Sequence, residues 1–517
     1  MNSLTPANSS AFYFTFDHEQ SKWIFAKDNW MESTFATTIV LFGIGYVFYR
    51  RIWSKSATTT IPVINSSLPW IGSALDFVRA PTNFLRECRQ QYGSAYRIHA
   101  TGRTILVITS PKAILTMLSH KATDFEIVDY LNLHVISGID TARMPKIWPA
   151  ILDFFKASHA LFNPAHSQPL VYAYNNIVAQ NFLRITADEN HSAQSLDDFV
   201  FRINHFAVYG MFMGTQFNTK PKTYNSWRAY DSGVHNIIRR LPFLSRGAIR
   251  GREDVLETVS EYVRQNWVDS DDGGYIHGAS EIMSVVAQKL KDSPATEEEI
   301  ARVINYLLWG TAGNIARLIN WVMRYIIVYS DVYASIQEEI RQVMAKKYLQ
   351  ADQLTQLDPR TLGADFPLLS STVNEVIRLL TQTVLLRRAS VDTVLLEDDG
   401  RVIPISKGDY ILADTQGYHH SEDYFDDAYR FKPDRYTQEQ APSRSLAFSA
   451  GPHICSGEFL AKTTTRMFVV LCLAMYDVEV KFEKGVTSAL EILPNSFLQL
   501  PLPKYEADIT LRRRVAS

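Results

Sequence analysis

The feature of this sequence that most restricts its fold is a long apolar stretch that begins after residue 296. Thr296-Glu297-Glu298-Glu299 has the pattern of a capping box, in which a threonine starts a helix and the third residue after it closes back on the threonine. Apolar residues continue to about Tyr329, which predicts a helix of 33 residues that is ~50 Å long. Because this helix is apolar on nearly all sides, we expect it to cross a protein core.

Two glycines, Gly310 and Gly313, lie in the middle of the predicted helix. Each costs about 1 kcal/mol relative to alanine, so their presence needs a reason. One hypothesis is close packing of a neighbouring helix. The other is that a flat ligand lies against the bare backbone. The helix pattern alone leaves both open.

Composition identifies a large globular protein. The chain has 517 residues, 46% hydrophobic and 21% charged, and no stretch has the composition of a linker. One large body is therefore expected, although length alone would suggest three or four domains. The formal net charge of −2 gives no indication of nucleic-acid binding. Three cysteines, Cys88, Cys455 and Cys472, exclude a disulfide scaffold and a four-cysteine zinc site.

The sequence predicts a membrane anchor near the N-terminus. Residues 33–49 are uncharged and mostly apolar, at the lower limit of what can span a bilayer. Trp30 and Trp53 flank this stretch, and Arg50 and Arg51 follow it, which predicts that the following chain is cytosolic. A buried N-terminal helix is the alternative.

The anchor hypothesis divides the chain into four parts. They are a lumenal N-terminus (residues 1–32), a single membrane anchor (33–53), a polar tether (54–68) and a cytosolic body (69–517). The body is expected to be mainly α with small β-sheets. The sequence predicts a hairpin over 96–110, strands over 391–414 and a last helix that begins near Gly457.

The most informative short segment is Phe448-Ser-Ala-Gly-Pro-His453-Ile-Cys455-Ser-Gly457. It places a cysteine in a glycine-containing loop that leads directly into a helix, whose terminal amides favour a thiolate. No cysteine or histidine pair stands at metal spacing, so a single-thiolate haem site fits better than zinc. The alternative is a buried structural cysteine, the fate that we expect for Cys88 and Cys472.

This segment resembles the haem-binding signature of the cytochrome P-450 superfamily, Phe-x-x-Gly-x-[Arg/His]-x-Cys-x-Gly. The resemblance implies a haem b cofactor whose iron is bound axially by Cys455. It also implies that Phe448 lies in the cofactor site and that His453 meets a haem propionate. The match begins at Pro69-Trp70-Ile71-Gly72, which resembles the family's proline-rich hinge, so it covers nearly the whole chain.

Further motifs resemble the same family. Glu375-Val-Ile-Arg378 and Phe431-Lys-Pro-Asp-Arg435 resemble the segments that supply a structural triad of one glutamate and two arginines. Arg387 stands where the family places an arginine that holds a propionate, with Arg388 as the neighbouring alternative.

The long helix departs from the common family pattern. The family usually carries an acid and a threonine above the haem, but here those positions are Ile315 and Ala316. Trp309 and Asn314 instead match the spacing of the branch that contains cholesterol 7α-hydroxylase and prostacyclin synthase. We therefore expect Asn314, together with Thr311 one turn earlier, to interact with the oxygen on the distal side of the haem.

A second departure concerns the other propionate. The Trp-x-x-x-Arg motif that usually contacts it is missing, and Lys156 is the candidate replacement. A surface lysine is the alternative.

The resemblance also implies substrate and partners. A sterol, a terpenoid or a related polycyclic lipid is expected as substrate, with O₂ and with electrons from NADPH through a reductase at the endoplasmic reticulum membrane. Two alternatives stay open: a peroxide-rearranging haem-thiolate isomerase or dehydratase, and a non-catalytic haem- or lipid-binding protein. A basic face for an acidic reductase is predicted from the charges that bracket the cysteine loop: Lys432, Arg435, Arg444, Lys462 and Arg466.

Overall fold

The computed structural model describes most of the chain after residue 60. The described ranges are 61–64, 71–100, 102–119, 123–124, 133–185, 192–217, 221–270, 274–382, 384–437, 445–493 and 499–514. The predicted anchor over 33–53 lies outside them, as does all of the tether except residues 61–64. Within the described ranges, no helix combines the length and apolar character that a bilayer crossing requires.

Helices make up most of the described chain. Before the cysteine loop they are α1 (Ala74–Arg79), α2 (Pro81–Tyr92), α3 (Pro111–Ser119), α4 (Met144–Leu161), α5 (Gln168–Leu183), α6 (Leu196–Met213), α7 (Pro221–Ile238), α8 (Arg246–Asn266), α9 (Glu281–Lys291), α10 (Glu297–Val328), α11 (Ser330–Lys347), α12 (Leu362–Asp365), α13 (Pro367–Leu380) and α14 (Thr415–His419). After it comes α15 (Glu458–Met475). A π-helical turn covers Leu133–Ser137, and 3₁₀ turns cover Ala351–Gln356, Gly451–His453 and Val486–Ser488.

The strands form small sheets. They are β1 (Ala95–Ala100), β2 (Arg103–Ile108), β3 (Thr123–Asp124), β4 (Gln194–Ser195), β5 (Trp267–Val268), β6 (Tyr275–Ile276), β7 (Val384–Ala389), β8 (Thr393–Leu396), β9 (Val402–Ile405), β10 (Tyr410–Asp414), β11 (Tyr476–Phe482) and β12 (Ala507–Arg513). The largest sheet has the order β1-β2-β10-β7-β3, with β10 parallel to β2 and the other neighbours antiparallel. The mainly α fold and the hairpin over 96–110 are confirmed.

The long helix α10 is confirmed almost to the residue. The Thr296 hydroxyl accepts the Glu299 amide at 3.2 Å, and the Glu299 carboxylate accepts the Thr296 amide at 2.8 Å, which completes the predicted capping box. The helix has 32 residues, and Tyr329 is its C-cap. It packs against α6, α8, α9, α13 and α15, so it crosses the core as its apolar composition predicts.

A buried ion network joins α13 to the chain before the cysteine loop. Arg378 donates twice to the Glu375 carboxylate at 2.8 Å, and the Arg435 guanidinium donates to it at 2.9 Å. Arg378 also donates to the carbonyls of His419 and Ala428 at 2.6 and 2.7 Å. The predicted triad of Glu375, Arg378 and Arg435 is therefore confirmed as a structural network.

Candidate functional site

The cysteine loop is held in one shape by its backbone. Gly451 has a φ of +71°, and a Cβ there would collide with the Leu118 carbonyl at the end of α3. Only glycine combines this left-handed conformation with so close an approach. The Cys455 amide donates to the Phe448 carbonyl at 2.8 Å, which closes the loop just before α15. The two ends of the signature segment are thereby joined.

Cys455 differs from the other two cysteines in its surroundings. Cys88 and Cys472 are buried, as expected of structural cysteines, whereas Cys455 keeps accessible surface. Protein nevertheless surrounds Cys455 closely, and this burial raises the pKa of its thiol. The Gly457 amide donates to the sulfur and lowers the pKa, but by less. The expected helix-terminus effect is present, yet in the protein alone desolvation outweighs it. A bound metal ion would deprotonate the thiol.

The face of α10 that stays accessible is narrow. From residue 307 to residue 326 the helix is buried except at Leu307, Gly310, Thr311 and Asn314, which are only partly covered. Their spacing of three and four residues places them on one helical face. This face is the part of α10 that can line a ligand cavity.

The two glycines of α10 have different roles. A Cβ on Gly310 would meet no atom within 4 Å, so the backbone there borders open space. A Cβ on Gly313 would meet the Asp231 carboxylate at 2.5 Å and the Arg317 guanidinium at 2.9 Å. Close packing therefore explains Gly313, and the ligand hypothesis fits Gly310.

Asn314 lies on the accessible face, and its side-chain amide donates to the Gly310 carbonyl at 2.7 Å. Thr311 is also half-buried on this face. Ile315 and Ala316, at the positions of the usual acid and threonine, are buried in the apolar core. Trp309 is buried against Tyr230, with ring centroids 5.6 Å apart.

The remaining predicted cofactor contacts lie in different settings. Arg387 is 1% exposed on β7 and donates to the Leu386 carbonyl at 2.9 Å, whereas Arg388 is exposed. His453 is exposed in its 3₁₀ turn, and Phe448 is half-buried. The Lys156 side chain on α4 is 76% exposed and lies 3.4 Å from Asp153, which is the surface arrangement weighed as the alternative. Its contact with a propionate stays a prediction.

The predicted basic face needs a correction. Arg435 is 8% exposed and ion-paired with Glu375, so it cannot contribute to a docking surface. Lys432 and Lys462 pair with Asp427 and Glu458 at 2.6 and 2.7 Å, which neutralises much of their charge. Arg444 lies outside the described residues.

A cleft of about 400 Å³ beside the cysteine was not predicted. Its walls come from the end of α4 and the start of α15, which are about 300 positions apart in the chain. They include His159, Asn163, Lys462 and Arg466. No local pattern in the sequence indicates this juxtaposition.

The residues present fit a flat tetrapyrrole held by one sulfur. Cys455 offers an accessible thiol inside the protein, Gly310 opens one face of a core helix, and Arg387 supplies a buried cation. Among the described residues, no cluster of histidine, cysteine and carboxylate side chains offers an all-protein metal site.

This fold and this cysteine loop define a haem-thiolate enzyme. The sequence model of the Cytochrome P450 family matches residues 62–505, and the chain belongs to that family. Several of its relatives are named hydroxylases or monooxygenases, so the protein is a cytochrome P450 monooxygenase, and the family implies a haem-thiolate cofactor.

Relatives of several specificities resemble the chain at low identity. Human 24-hydroxycholesterol 7-alpha-hydroxylase is 23% identical over 94% of this chain and 100% of its own length. Human prostacyclin synthase is 22% identical over 81% of this chain and 87% of its own. Abscisic acid 8'-hydroxylase 1 of Arabidopsis thaliana is 21% identical over 91% and 96%. The first two confirm the predicted branch.

Proposed function

We propose that this protein inserts one oxygen atom from O₂ into a lipophilic substrate, with electrons from NADPH through a reductase. The observation that carries the proposal is Cys455, an accessible cysteine in a loop of the family's haem-binding pattern. Its sulfur binds the haem iron in this proposal. A thiolate ligand would give haem the electron density that favours O–O bond cleavage.

The chain's own residues hold the cofactor in place. His453 and Arg387 bind the propionates, and Phe448 borders the haem beside the cysteine loop. Arg387 supports this role because it is a cation, 1% exposed on β7, whose planar guanidinium suits a carboxylate. The Gly457 amide, which donates to the Cys455 sulfur, stabilises the thiolate once it is formed.

Asn314 orders the distal side. An amide has two N–H donors and a carbonyl acceptor but does not titrate. One N–H is directed to the Gly310 carbonyl, which fixes the side chain on the accessible face of α10. The rest of the amide can hold a water that moves a proton, and the Thr311 hydroxyl lies one turn earlier on that face. The pair replaces the acid and threonine that are absent at Ile315 and Ala316.

A polycyclic lipid is the proposed substrate. The relatives are named for 24-hydroxycholesterol, cholesterol and abscisic acid, all compact lipophilic molecules with few charges. The proposed anchor over 33–53 and a location at the endoplasmic reticulum membrane would bring such a substrate to the enzyme. A sterol or terpenoid agrees with both considerations.

One other activity is favoured by a specific observation. Prostacyclin synthase is among the relatives, and the acid and threonine of the long helix are missing here. An enzyme that rearranges a peroxide needs neither a reductase nor a proton relay. A haem-thiolate isomerase is therefore the second candidate.

The oxygen source separates the two candidates. We expect turnover of a bound sterol or terpenoid with NADPH, reductase and O₂, and no rearrangement of lipid hydroperoxides in their absence. Ligand-induced spin-state changes would first identify which lipids bind. Turnover with hydroperoxide alone would establish the isomerase, and tight lipid binding without turnover would establish a binding protein.

Replacing Asn314 with alanine tests its role in the proposed oxygenation. We expect the fraction of NADPH electrons that reach product to fall by about 100-fold, the lower end of the range for loss of a positioned proton-transfer group. Haem content and substrate affinity should stay near wild type. Product formed per NADPH is the measurement, and unchanged coupling would remove Asn314 from the mechanism.

A further inference from the structure

Side chains form hydrogen bonds to the backbone carbonyls in the middle of α10. Three nearby backbone carbonyls each accept a side-chain N–H. Gly310 accepts from Asn314 at 2.7 Å, Ala312 from Asn204 of α6 at 2.8 Å, and Gly313 from Arg317 at 3.0 Å. Side-chain donors that share helical carbonyls set the local bend of a helix.

The donor at Gly313 belongs to a buried ion pair. Arg317, which is 4% exposed, donates to both oxygens of Asp231 on α7 at 3.1 and 2.8 Å. Asp231 is itself 1% exposed, and the Arg228 guanidinium lies 3.8 Å from it. Burying such a pair usually gains little stability over an apolar pair of the same volume. Its presence within the core therefore calls for a role other than stability.

This ion pair is adjacent to the proposed distal residue. The Asp231 carboxylate lies so close to the bare backbone of Gly313 that a Cβ would displace it. Gly313 immediately precedes Asn314, and Arg317 follows Asn314 by three residues on the helix. On the other side, Asn204 is itself oriented by a hydrogen bond of 2.9 Å from the Tyr174 hydroxyl.

We propose that Asn204 and the Asp231–Arg317 pair form a carbonyl clamp that sets the shape of α10 at Ala312 and Gly313 and so positions the Asn314 amide. The proposal rests on the function proposed for Asn314. Asp231, Arg317 and Asn204 are positioning residues, because each acts through the α10 backbone. The clamp gives the distal site a rigidity that a non-titrating amide needs if it is to hold a water in one place.

The clamp is tested by removing both charges of the Asp231–Arg317 pair together. Asp231→Asn combined with Arg317→Met eliminates both charges and the bond to the Gly313 carbonyl. Asn204→Leu removes the other arm and is an independent variant should the first fail to fold. The matched control is Asp197→Asn with Arg324→Met. This ion pair of 2.9 Å joins α6 to α10, as Asn204 does, but Arg324 lies about 10 Å along the helix axis from Arg317.

We expect both clamp variants to raise amide hydrogen exchange at residues 310–317 and to shift the infrared C–O stretch of the ferrous–CO form. Product per NADPH should fall by about tenfold, since small displacements of a positioned group have effects of this size or more. The control should leave these three measurements at wild-type values. Combining a clamp variant with Asn314→Ala should lower coupling no further than Asn314→Ala alone.

The clamp would be refuted if both variants kept the wild-type hydrogen exchange and C–O stretch, or if the control variant changed them equally. It would also be refuted if the losses of coupling added to that of Asn314→Ala. A wild-type enzyme that turns over only hydroperoxides would refute the proposed oxygenation instead. Hydrogen exchange and the C–O stretch would still test the clamp in that case, because neither requires turnover.

Discussion

Cys455→Ser will abolish the red-shifted Soret band of the ferrous–CO protein. This is the largest spectroscopic effect that we expect of any substitution. A neutral hydroxyl cannot replace a thiolate as the electron-rich axial ligand that gives the band its position. The side chain lies in a loop fixed by Gly451 and by the bond from its own amide to the Phe448 carbonyl, so the exchange of sulfur for oxygen should leave the fold unchanged. The absorption difference spectrum of the reduced protein with CO is the measurement.

The other cysteines provide the control for this prediction. Cys88→Ser and Cys472→Ala should retain the red-shifted band, because both side chains are buried away from the loop. Far-ultraviolet circular dichroism of all three variants would show that the helical content is unchanged. A normal band in Cys455→Ser would contradict the assignment of the ligand and with it the proposed function.

The features predicted well from the sequence depend on neighbours along the chain. The capping box of α10 needs only Thr296 and Glu299, and the hairpin of β1 and β2 needs only a turn and two alternating strands. In both cases, local chemistry decides the structure before packing contributes. The cysteine loop is only partly local, because Gly451 is near Cys455 in the chain but its close neighbour is the Leu118 carbonyl.

The features that were missed join distant positions. Asp231 and Arg317 are 86 positions apart, and neither belongs to a motif. In the sequence, Asp231 cannot be distinguished from a surface aspartate. Only the fold places it against Gly313. The sequence also predicted that Arg435 belongs to the basic face, which is wrong. The predicted triad with Glu375 gave its actual partner. Charge counted along the sequence does not show which charges are buried.

The roles of Gly310 and Gly313 show the same limit. Both are helix-breaking residues in one apolar helix, and helix physics could not distinguish ligand contact from packing. The structure separates them, because one borders open space and the other borders a carboxylate. A difference of three residues corresponds to a rotation of about 60° around the helix, which is enough to change the neighbour completely.

Glu375→Gln will strongly reduce the stability of the folded protein. Glu375 is fully buried and accepts hydrogen bonds from Arg378, from Arg435 and from the Lys432 amide. Removing its charge leaves two buried guanidinium groups without an anion, a loss that typically costs about 3–5 kcal/mol. Because native proteins are stable by only about 5–15 kcal/mol, we expect a lower melting temperature and a poor yield of haem-loaded protein.

The effect should depend on burial and not on the loss of an ion pair as such. Glu479→Gln breaks a pair of 3.2 Å with Arg512, but the two side chains are 71% and 61% exposed. Water replaces the lost partner at such a site, so the expected cost is below about 1 kcal/mol. Chemical denaturation of the two variants beside the wild type measures the difference. If both variants lose the same small amount of unfolding free energy, Arg378 and Arg435 find adequate partners without the Glu375 charge. The network around Glu375 would then not be what holds α13 to the segment before the cysteine loop.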